Sequence, residues 1–520
     1  MRAAMLFHAP IFILGFLPLC LTGFFLSGRW ALHWLIAASL VFYGWWNVAH
    51  VPLLVASILM NHAVGSRIHR SAGRGWLIAG VAGNLAVLGW FKYADFLLGI
   101  AVPDARPLGI ALPLAISFFT FQQIMFLVDC GEGAPTSANF WSRERGLRPT
   151  PAILEDDGDR SLCAQRKPST LALAGPTQAP PSLLHYAAFV AFFPHLIAGP
   201  LVRPRDIIPQ LSVLTRTKPS SESLSAGLTL FLLGLAKKLV LADLFGGFAD
   251  TGFDAAARGE TLTLLEAWPA TLSYALQIYF DFSAYSDMAT GLARMIGVRF
   301  PLNFDSPYQA RDIAAFWRRW HITLGLFLRD HVYIPLGGNR SGQALNLMAT
   351  MLLAGLWHGA AWRFVLWGGL HGAMLVGHRL YRRIGPPLPP KLAQALTLLL
   401  VCLAWVPFRA DGMPAAWAMM RGLLGLNGLA VPAMIVGAFP VLNAIATPVP
   451  LLRFLGDART LSLPEVAACL LLGWTIVLAF PHAQALSDRA RGWAIAASFA
   501  FTVRALSFAP HVAPFLYFQF

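Results

Sequence analysis

Charged residues are scarce in this chain. They account for 12% of its 520 residues, and hydrophobic residues account for 57%, whereas soluble proteins carry about 25% charged residues. This shortage excludes an ordinary soluble protein. The apolar runs are long enough to cross a bilayer at about 20 residues per crossing, so the composition predicts a multi-pass membrane protein.

Cysteine is also sparse, and the motifs of several enzyme classes are missing. The five cysteines show no C-x-x-C spacing: Cys20, Cys130, Cys163, Cys402 and Cys469. No G-x-S-x-G elbow, H-E-x-x-H pair, P-loop or dinucleotide fingerprint occurs. We therefore expect no disulfide framework, no metal site and no permanently bound cofactor, and serine-hydrolase or zinc-protease chemistry has no support.

A basic tract interleaved with aromatic residues is absent too, although the formal net charge is +14. The basic residues fall in short loops beside hydrophobic runs, so nucleic acid is not an expected partner. Such loops mark the cytoplasmic side of an inner membrane and also attract anionic substrates. We therefore expect membrane lipids as neighbours and an inner-membrane location.

The hydrophobic runs predict an all-α polytopic protein with about a dozen spans. They lie near residues 10–27, 31–49, 51–64, 76–100, 224–245, 262–280, 344–362, 363–380, 392–408, 429–447, 465–480 and 491–507. The first run is longer than a signal-peptide core, so we expect it to be retained. Prolines such as Pro113 and Pro194 interrupt the apolar segments 108–129 and 184–202, which predicts re-entrant segments that line an interior space.

Residues 131–182 differ from the rest in composition. They are rich in proline, serine, threonine and glycine, with mixed charge. This composition is typical of a disordered loop. The segment is either a neutral insertion or a regulatory or partner-binding one.

Polar and titratable groups gather in residues 301–378. Two histidines there, His321 and His358, each follow a tryptophan in or beside hydrophobic sequence. Burying an ionisable group in such a place costs free energy, so the group is expected either to take part in function or to pair with another polar group. We therefore predict that this region is the catalytic core.

His358 lies in Leu356-Trp357-His358-Gly359. A neutral imidazole takes a proton from an attacking hydroxyl and returns it to a leaving group, because its unperturbed pKa of about 6.5 is near working pH. Gly359 is expected to leave room for substrate beside the backbone. The alternative is a structural histidine bonded to a neighbouring helix.

His321 lies in a stretch, 310–330, that predicts an amphipathic helix. On one helix, Trp317, Trp320 and His321 would share a face at i, i+3 and i+4, so the histidine would point inward. It is then a second catalytic group, a group that orients substrate or His358, or a structural residue. His371 on the following apolar run is a secondary candidate.

Several basic residues surround this region, and arginine forks suit phosphates. They are Arg311, Arg318, Arg319 and Arg340, with Lys237 and Lys238 as neighbours. They hold an anionic donor or, alternatively, anchor the chain at a lipid surface. We expect structural polar contacts from Asp281, Tyr285, Asp287, Asn303 and Asp305.

The blocks that carry these residues resemble a known family. They are FFTFQQIMFLVD (118–129), FFPHLIAGPLVRP (192–204), YFDFSAYSDMATGLARMIG (279–297), LNFDSPY (302–308), FWRRWHITL (316–324), YIPLGGNR (333–340) and LWHGA (356–360). In this order the chain resembles the membrane-bound O-acyltransferases, in the branch that includes the membrane subunit of bacterial alginate O-acetyltransferase. In that family the connection replaced here by 131–182 is usually much shorter.

The resemblance implies a single membrane domain over 1–520 and an acyltransferase of a bacterial inner membrane. Such an enzyme would move acetyl groups from cytoplasmic acetyl-CoA, its acyl-donor substrate, toward hydroxyls of an exported polysaccharide such as alginate. The resemblance also implies a tunnel with His358 at its centre as general base, assisted by His321. In similar systems a periplasmic acetyltransferase completes the transfer, so such a partner protein is expected.

Other functions remain open at this point. One related branch moves D-alanine to a wall polymer. A polysaccharide or lipid transporter with Asp281 and Asp287 as a proton relay would show internal repeats, and none is visible in the sequence. A catalytically silent scaffold would tolerate replacement of His358.

Overall fold

The computed structural model describes residues 5–71, 74–131, 180–214, 216–444, 446–449, 463–486, 492 and 515–516. These residues are mostly helical, which confirms the all-α prediction. The loop predicted over 131–182 lies almost wholly outside the described residues, so it stays a prediction. The chain divides into two compact units, Met1–Phe231 with Met288–Leu302 and Leu232–Asp287 with Asn303–Phe520.

The first unit contains ten α-helices within its described residues. They are α1 (Leu17–Leu26), α2 (Ala31–Trp46), α3 (Val51–Ser71), α4 (Arg74–Leu88), α5 (Ala94–Ala101), α6 (Ile116–Gly131), α7 (Leu183–Ala191), α8 (Phe193–Leu196), α9 (Pro204–Val213) and α10 (Ser221–Ala236), whose last residues belong to the second unit. A short turn at Phe192 separates α7 from α8, next to Pro194. The predicted interruption of this apolar segment is therefore present.

Buried amides join α3, α4 and α6. Asn61 donates to Gln123 Oε1 at 2.9 Å, and Asn84 donates to Asn61 Oδ1 at 2.6 Å. Ser57 of α3 also donates to Gln123 Oε1, at 2.6 Å. A polar group buried in hydrocarbon must find a partner. The amide chain therefore specifies which helices pack together.

The second unit holds the region of the two tryptophan-histidine pairs. Its remaining helices are α11 (Asp243–Ala257), α12 (Leu264–Met295, up to Asp287 in this unit), α13 (Ile313–Arg319), α14 (Ile322–Leu328), α15 (Gln343–His358), α16 (Trp362–Ile384), α17 (Pro390–Arg409), α18 (Gly412–Leu423), α19 (Ala433–Ala438) and α20 (Leu463–Ala479). Two short strands, β1 (Ala430–Pro432) and β2 (Thr447–Val449), pair in parallel.

The helices α15 and α16 form a hairpin in which backbone meets backbone. A Cβ at Gly355 would lie 2.1 Å from the carbonyl oxygen of Phe364, and one at Gly368 would lie 2.3 Å from that of Met351. Small residues permit this approach, which is common where helices pack in membranes. The hairpin carries His358 at the end of α15 and His371 in α16.

Apolar helices of membrane-spanning character are present in the described residues. Three are long and apolar enough to cross a bilayer: Val48–Ser71, Arg74–Ala101 and Pro390–Arg409. Shorter apolar helices are Ile11–Leu26, Ile116–Gly131 and Glu465–Ala479. The predicted count of about a dozen spans is not confirmed, because only these three helices of the described residues combine the length and the hydropathy of a span, and most of the run 491–507 lies outside those residues. The re-entrant segments and the tunnel stay predictions.

Candidate active site

The prediction of one helix over 310–330 is wrong. The chain breaks after Arg319, the last residue of α13, and α14 starts at Ile322. Two backbone groups at the break bond a distant segment: Asp305 N–H donates to Arg319 O at 2.9 Å, and Ile322 N–H donates to Asn303 O at 3.0 Å. The periodic pattern predicts a helix from local spacing alone, and these non-local bonds override it.

His321 occupies the break in a left-handed conformation, with φ 44° and ψ 53°. Few non-glycine residues adopt this region, and those that do are held there by their surroundings, often at functional sites. The side chain is only 1% exposed. The inward orientation expected for His321 is therefore present, but it arises at a corner and not on a helix face.

Asn303 holds the His321 ring. Asn303 Oδ1 lies 3.1 Å from His321 Nδ1, and it also accepts from Thr323 Oγ1 at 2.9 Å and from Thr323 N–H at 3.3 Å. A main-chain N–H only donates, so the amide atom facing it is the oxygen. An amide oxygen only accepts, so His321 carries its proton on Nδ1.

The other nitrogen of His321 is a bare acceptor. Its Nε2 is buried and has no hydrogen-bond partner among the described residues. The ring packs edge-on against Phe282 at 4.7 Å between centroids and lies 6.2 Å from the Trp357 ring. A buried polar atom without a partner is uncommon in folded proteins. This nitrogen is therefore a candidate proton acceptor.

His358 is 8% exposed and lies at the end of α15. Its ring is surrounded by Trp357, Trp367 and Phe408, at centroid distances of 4.9, 5.0 and 5.0 Å. The Trp357 ring thus contacts the rings of both sequence-predicted histidines. The structure therefore places His321 and His358 beside the same indole.

Gly359 does not leave space for a substrate as we had expected. A Cβ built there would lie 2.2 Å from Cε2 of the Phe364 ring. The glycine is required because that aromatic ring packs against the backbone. The Phe364 ring therefore fills the space beside Gly359.

His371 is fully buried in α16. The Trp317 indole N–H, which only donates, bonds His371 Nδ1 at 3.2 Å. His371 therefore carries its proton on Nε2, and this atom has no hydrogen-bond partner in the described part of the chain. The Trp367 ring lies 4.8 Å from His371 and 5.0 Å from His358, so the secondary candidate belongs to the same aromatic cluster.

The predicted phosphate-binding arginines lie around the helix break. Arg318 and Arg319 are half-buried in the last turn of α13, and Arg311 is exposed just before that helix. Cations suit the C-terminal end of a helix, so a structural explanation also applies to two of them. Their contact with a donor stays a prediction.

Lys237 and Lys238 form ion pairs with aspartates of α12. Lys237 Nζ lies 2.6 Å from Asp287, and the buried Lys238 Nζ lies 2.9 Å from Asp281. Lys238 also pairs with Asp243 at 2.8 Å. The lysines are therefore neutralised internally, and the expectation that Asp281 and Asp287 make structural contacts is supported. Among the described residues no group of three or more potential ligands could hold a metal ion.

Two aromatic residues of this site were not predicted from the sequence. Trp405 in α17 lies 5.0 Å from Trp320 and 5.9 Å from Trp367, and Phe408 contacts His358. The run 392–408 shows only hydropathy, although the i, i+3 spacing of these two aromatics on one helix was an available signal. The role of Asn303 was also missed, because its partner lies 18 residues along the chain.

Comparison with known proteins adds an independent line of support. Residues 99–408 match the model of the membrane-bound O-acyltransferase family, MBOAT. The matched range contains His321, His358 and His371. It therefore spans the whole aromatic and histidine cluster just described.

Full-length relatives agree with this match. The chain is 40% identical over 462 residues to a peptidoglycan O-acetyltransferase of Helicobacter pylori, covering 85% of this chain and 84% of that protein. It is 36% identical over 444 residues to a probable alginate O-acetylase of Pseudomonas aeruginosa, covering 81% and 75%. These similarities confirm the family resemblance of the sequence blocks. The chain belongs to the membrane-bound O-acyltransferase family and is an acyltransferase.

Proposed function

We propose that this acyltransferase moves acetyl groups from cytoplasmic acetyl-CoA across a bacterial inner membrane for O-acetylation of an exported or wall polysaccharide. The names of its full-length relatives, a peptidoglycan O-acetyltransferase and a probable alginate O-acetylase, support acetyl as the acyl group and a glycan as the final acceptor. Alginate, peptidoglycan and other glycans all fit, since the relatives divide between the first two.

The observation that carries the mechanism is the bare Nε2 of His321. We assign this atom as the general base. The acceptor oxygen attacks the thioester carbonyl carbon as its proton passes to Nε2, and a new C–O bond forms. The C–S bond then breaks, and the imidazolium returns the proton to the sulfur, which leaves CoA as a free thiol. The histidine ends the cycle neutral, as it began.

His358 is the second required histidine in this proposal. The family resemblance implies the opposite assignment, with His358 as base and His321 assisting. The tautomer of His321 favours our assignment, because Asn303 leaves its Nε2 unprotonated and unpartnered. The rings around His358 exclude water from the reacting thioester, which limits wasteful hydrolysis.

The donor and partner assignments follow the same proposal. Arg311, Arg318 and Arg319 hold the phosphates of acetyl-CoA, since Arg311 precedes α13 and the other two end it, just before His321 in the chain. A periplasmic acetyltransferase is the immediate acceptor or completes transfer to the glycan. The protein crosses the inner membrane several times, so that donor and acceptor reach His321 from opposite sides.

The test is transfer of labelled acetyl from acetyl-CoA by membranes that contain this protein and its genomic neighbours. We expect His321→Ala and His358→Ala each to abolish transfer at matched expression. His331→Ala is the matched control. His331 is a half-buried histidine that follows α14, and its ring contacts the ring of Phe327. Full activity of His321→Ala would remove it as the base, and loss only in His358→Ala would restore the reverse assignment.

A second acyl group has specific support. A teichoic acid D-alanyltransferase of Streptococcus thermophilus is 27% identical over 206 residues, covering 38% of this chain and 50% of that protein. The same base chemistry serves a D-alanyl thioester. If wild-type membranes transfer no acetyl group, the same assay with a D-alanyl carrier-protein thioester decides between the two donors.

A further inference from the structure

We infer that Asn303 is the positioning residue that fixes His321 in its Nδ1–H tautomer and so makes Nε2 the reactive atom. This inference rests on the proposed function, in which His321 Nε2 accepts the proton of the acceptor hydroxyl. Asn303 itself does not touch the reacting atoms. It acts through the ring that it holds.

The hydrogen bonds of Asn303 cover three successive residues. Its side-chain oxygen bonds His321 and Thr323, and its main-chain oxygen accepts from Ile322 N–H. One residue thus holds both the ring of His321 and the left-handed corner of the backbone on which the ring stands.

The orientation of the Asn303 amide is also fixed on its other side. Asn303 Nδ2 donates to Ser286 Oγ of α12 at 3.1 Å, which leaves Oδ1 facing the corner. Asn303 is 1% exposed, so water does not compete for these bonds. Rotation of the amide would set its NH₂ group against the N–H of Thr323, which excludes the flipped orientation.

An amide in this position differs chemically from a carboxylate. A carboxylate facing Nδ1–H stabilises the imidazolium and holds the proton, whereas an amide oxygen orients the ring without adding charge. The charged groups around the site are engaged elsewhere: Asp281 with Lys238 and Asp287 with Lys237. Asp305, in the segment that bonds the corner, lies 3.6 Å from His482.

A small polar pocket in this unit is lined by Lys237, Ser283, Asp287, Asn303 and Gln484, among others. Asn303 thus lines this pocket and also bonds the ring of His321.

The experiment compares Asn303→Ala, Asn303→Asp and the control Thr323→Val in the acetyl-transfer assay. Asn303→Ala frees the ring to change tautomer, so we expect kcat to fall at least about 10-fold, with KM for acetyl-CoA unchanged. Thr323→Val removes one competing donor and leaves the His321 bond, so we expect less than about a threefold change in kcat.

Asn303→Asp gives the readout that a purely structural role would not move. It retains an acceptor for Nδ1–H, so we expect activity to recover, with the acid limb of the pH–rate profile displaced to higher pH because the new carboxylate stabilises the imidazolium. An unchanged profile in an active, folded variant would overturn the inference. Equal loss in Thr323→Val and Asn303→Ala would do the same, because it would indicate only a loosened corner.

A second measurement is independent of turnover. The ¹⁵N spectrum of histidine-labelled protein, with His321 assigned by difference from His321→Gln, reports which ring nitrogen bears the proton. We expect Nδ1–H in the wild type and a mixture in Asn303→Ala. If the wild type transfers no acyl group, the proposed function fails, and this spectrum still decides whether Asn303 fixes the tautomer. Nε2–H in the wild type would overturn it.

Discussion

His321 and His371 are both buried histidines in the second unit, yet they present opposite chemistry. Each has one ring nitrogen bonded and one without a partner among the described residues. An amide oxygen holds Nδ1 of His321, and an indole N–H holds Nδ1 of His371. His321 therefore offers a lone pair at Nε2, whereas His371 offers an N–H. The donor or acceptor character of the neighbour, and not burial, decides which histidine can act as a base.

The two histidines also differ in how the backbone carries them. His371 is in the interior of α16, where helical hydrogen bonds set its position. His321 is at a left-handed corner that depends on Asn303 and Asp305. The candidate base is thus the residue whose position rests on non-local bonds. Its geometry can be adjusted without rebuilding a helix.

The largest effect is expected from a variant of His321 that removes the lone pair at Nε2. We expect His321→Gln to lower acetyl transfer by about 10³-fold, because a positioned general base contributes about 10²- to 10⁴-fold. Folded protein should be retained, since glutamine keeps a polar group that can face Asn303. The measurement is single-turnover transfer from labelled acetyl-CoA. Activity within tenfold of wild type would contradict the assignment.

The next effect concerns the hairpin that carries His371 but not His321. At Gly368 a Cβ would meet the backbone of Met351, so Gly368→Val must separate α15 from α16. We expect destabilisation of about 3 kcal/mol or more, since backbone atoms cannot move aside as a flexible side chain can. Thermal unfolding of purified protein in detergent measures this loss.

Gly377→Val is the matched control for that prediction. Gly377 is in the same helix, and no atom lies within 4 Å of a Cβ built there. We expect a melting temperature close to that of the wild type. Equal losses in both variants would point to helix propensity and not to the close contact of the hairpin.

The smallest effect should come from exchanging the partner of His371. Trp317→Phe removes the indole N–H and leaves a ring that still packs against Trp367, so His371 loses its fixed tautomer. We expect a stability loss of about 1 kcal/mol, the usual contribution of one hydrogen bond. Transfer should fall by less than about tenfold. A loss as large as that of His321→Gln would place His371 in the chemistry.

Much of the site was predictable from composition and spacing. The scarcity of charge predicted a helical membrane protein, and the two tryptophan-histidine pairs located the cluster that contains His321 and His358. Both side chains are buried, as expected for ionisable groups in apolar sequence. The resemblance of the sequence blocks, taken in their order along the chain, predicted the family, which the comparisons confirmed.

The rest depended on bonds between distant residues. Helical periodicity predicted one helix over 310–330, because the pattern depends only on residues close in the chain. It could not predict that Asn303 O accepts a hydrogen bond from Ile322 N–H and so interrupts the helix. Tautomers are also invisible to a pattern, because the same histidine is a donor or an acceptor according to its partner. Hydropathy likewise could not distinguish Trp405 and Phe408 from lipid-facing residues.

The glycine contacts between α15 and α16 have a consequence for how this architecture can diversify. Where backbones touch, no side chain is available to exchange, and any enlargement pushes α15, which carries His358, away from α16, which carries His371. The contacts that α17 makes with this cluster come from side chains instead: Trp405 packs near Trp367, and Phe408 packs near His358. Enzymes of this architecture that accept acyl groups of other sizes are therefore expected to differ on α17, while the glycines at which α15 touches α16 tolerate almost no change.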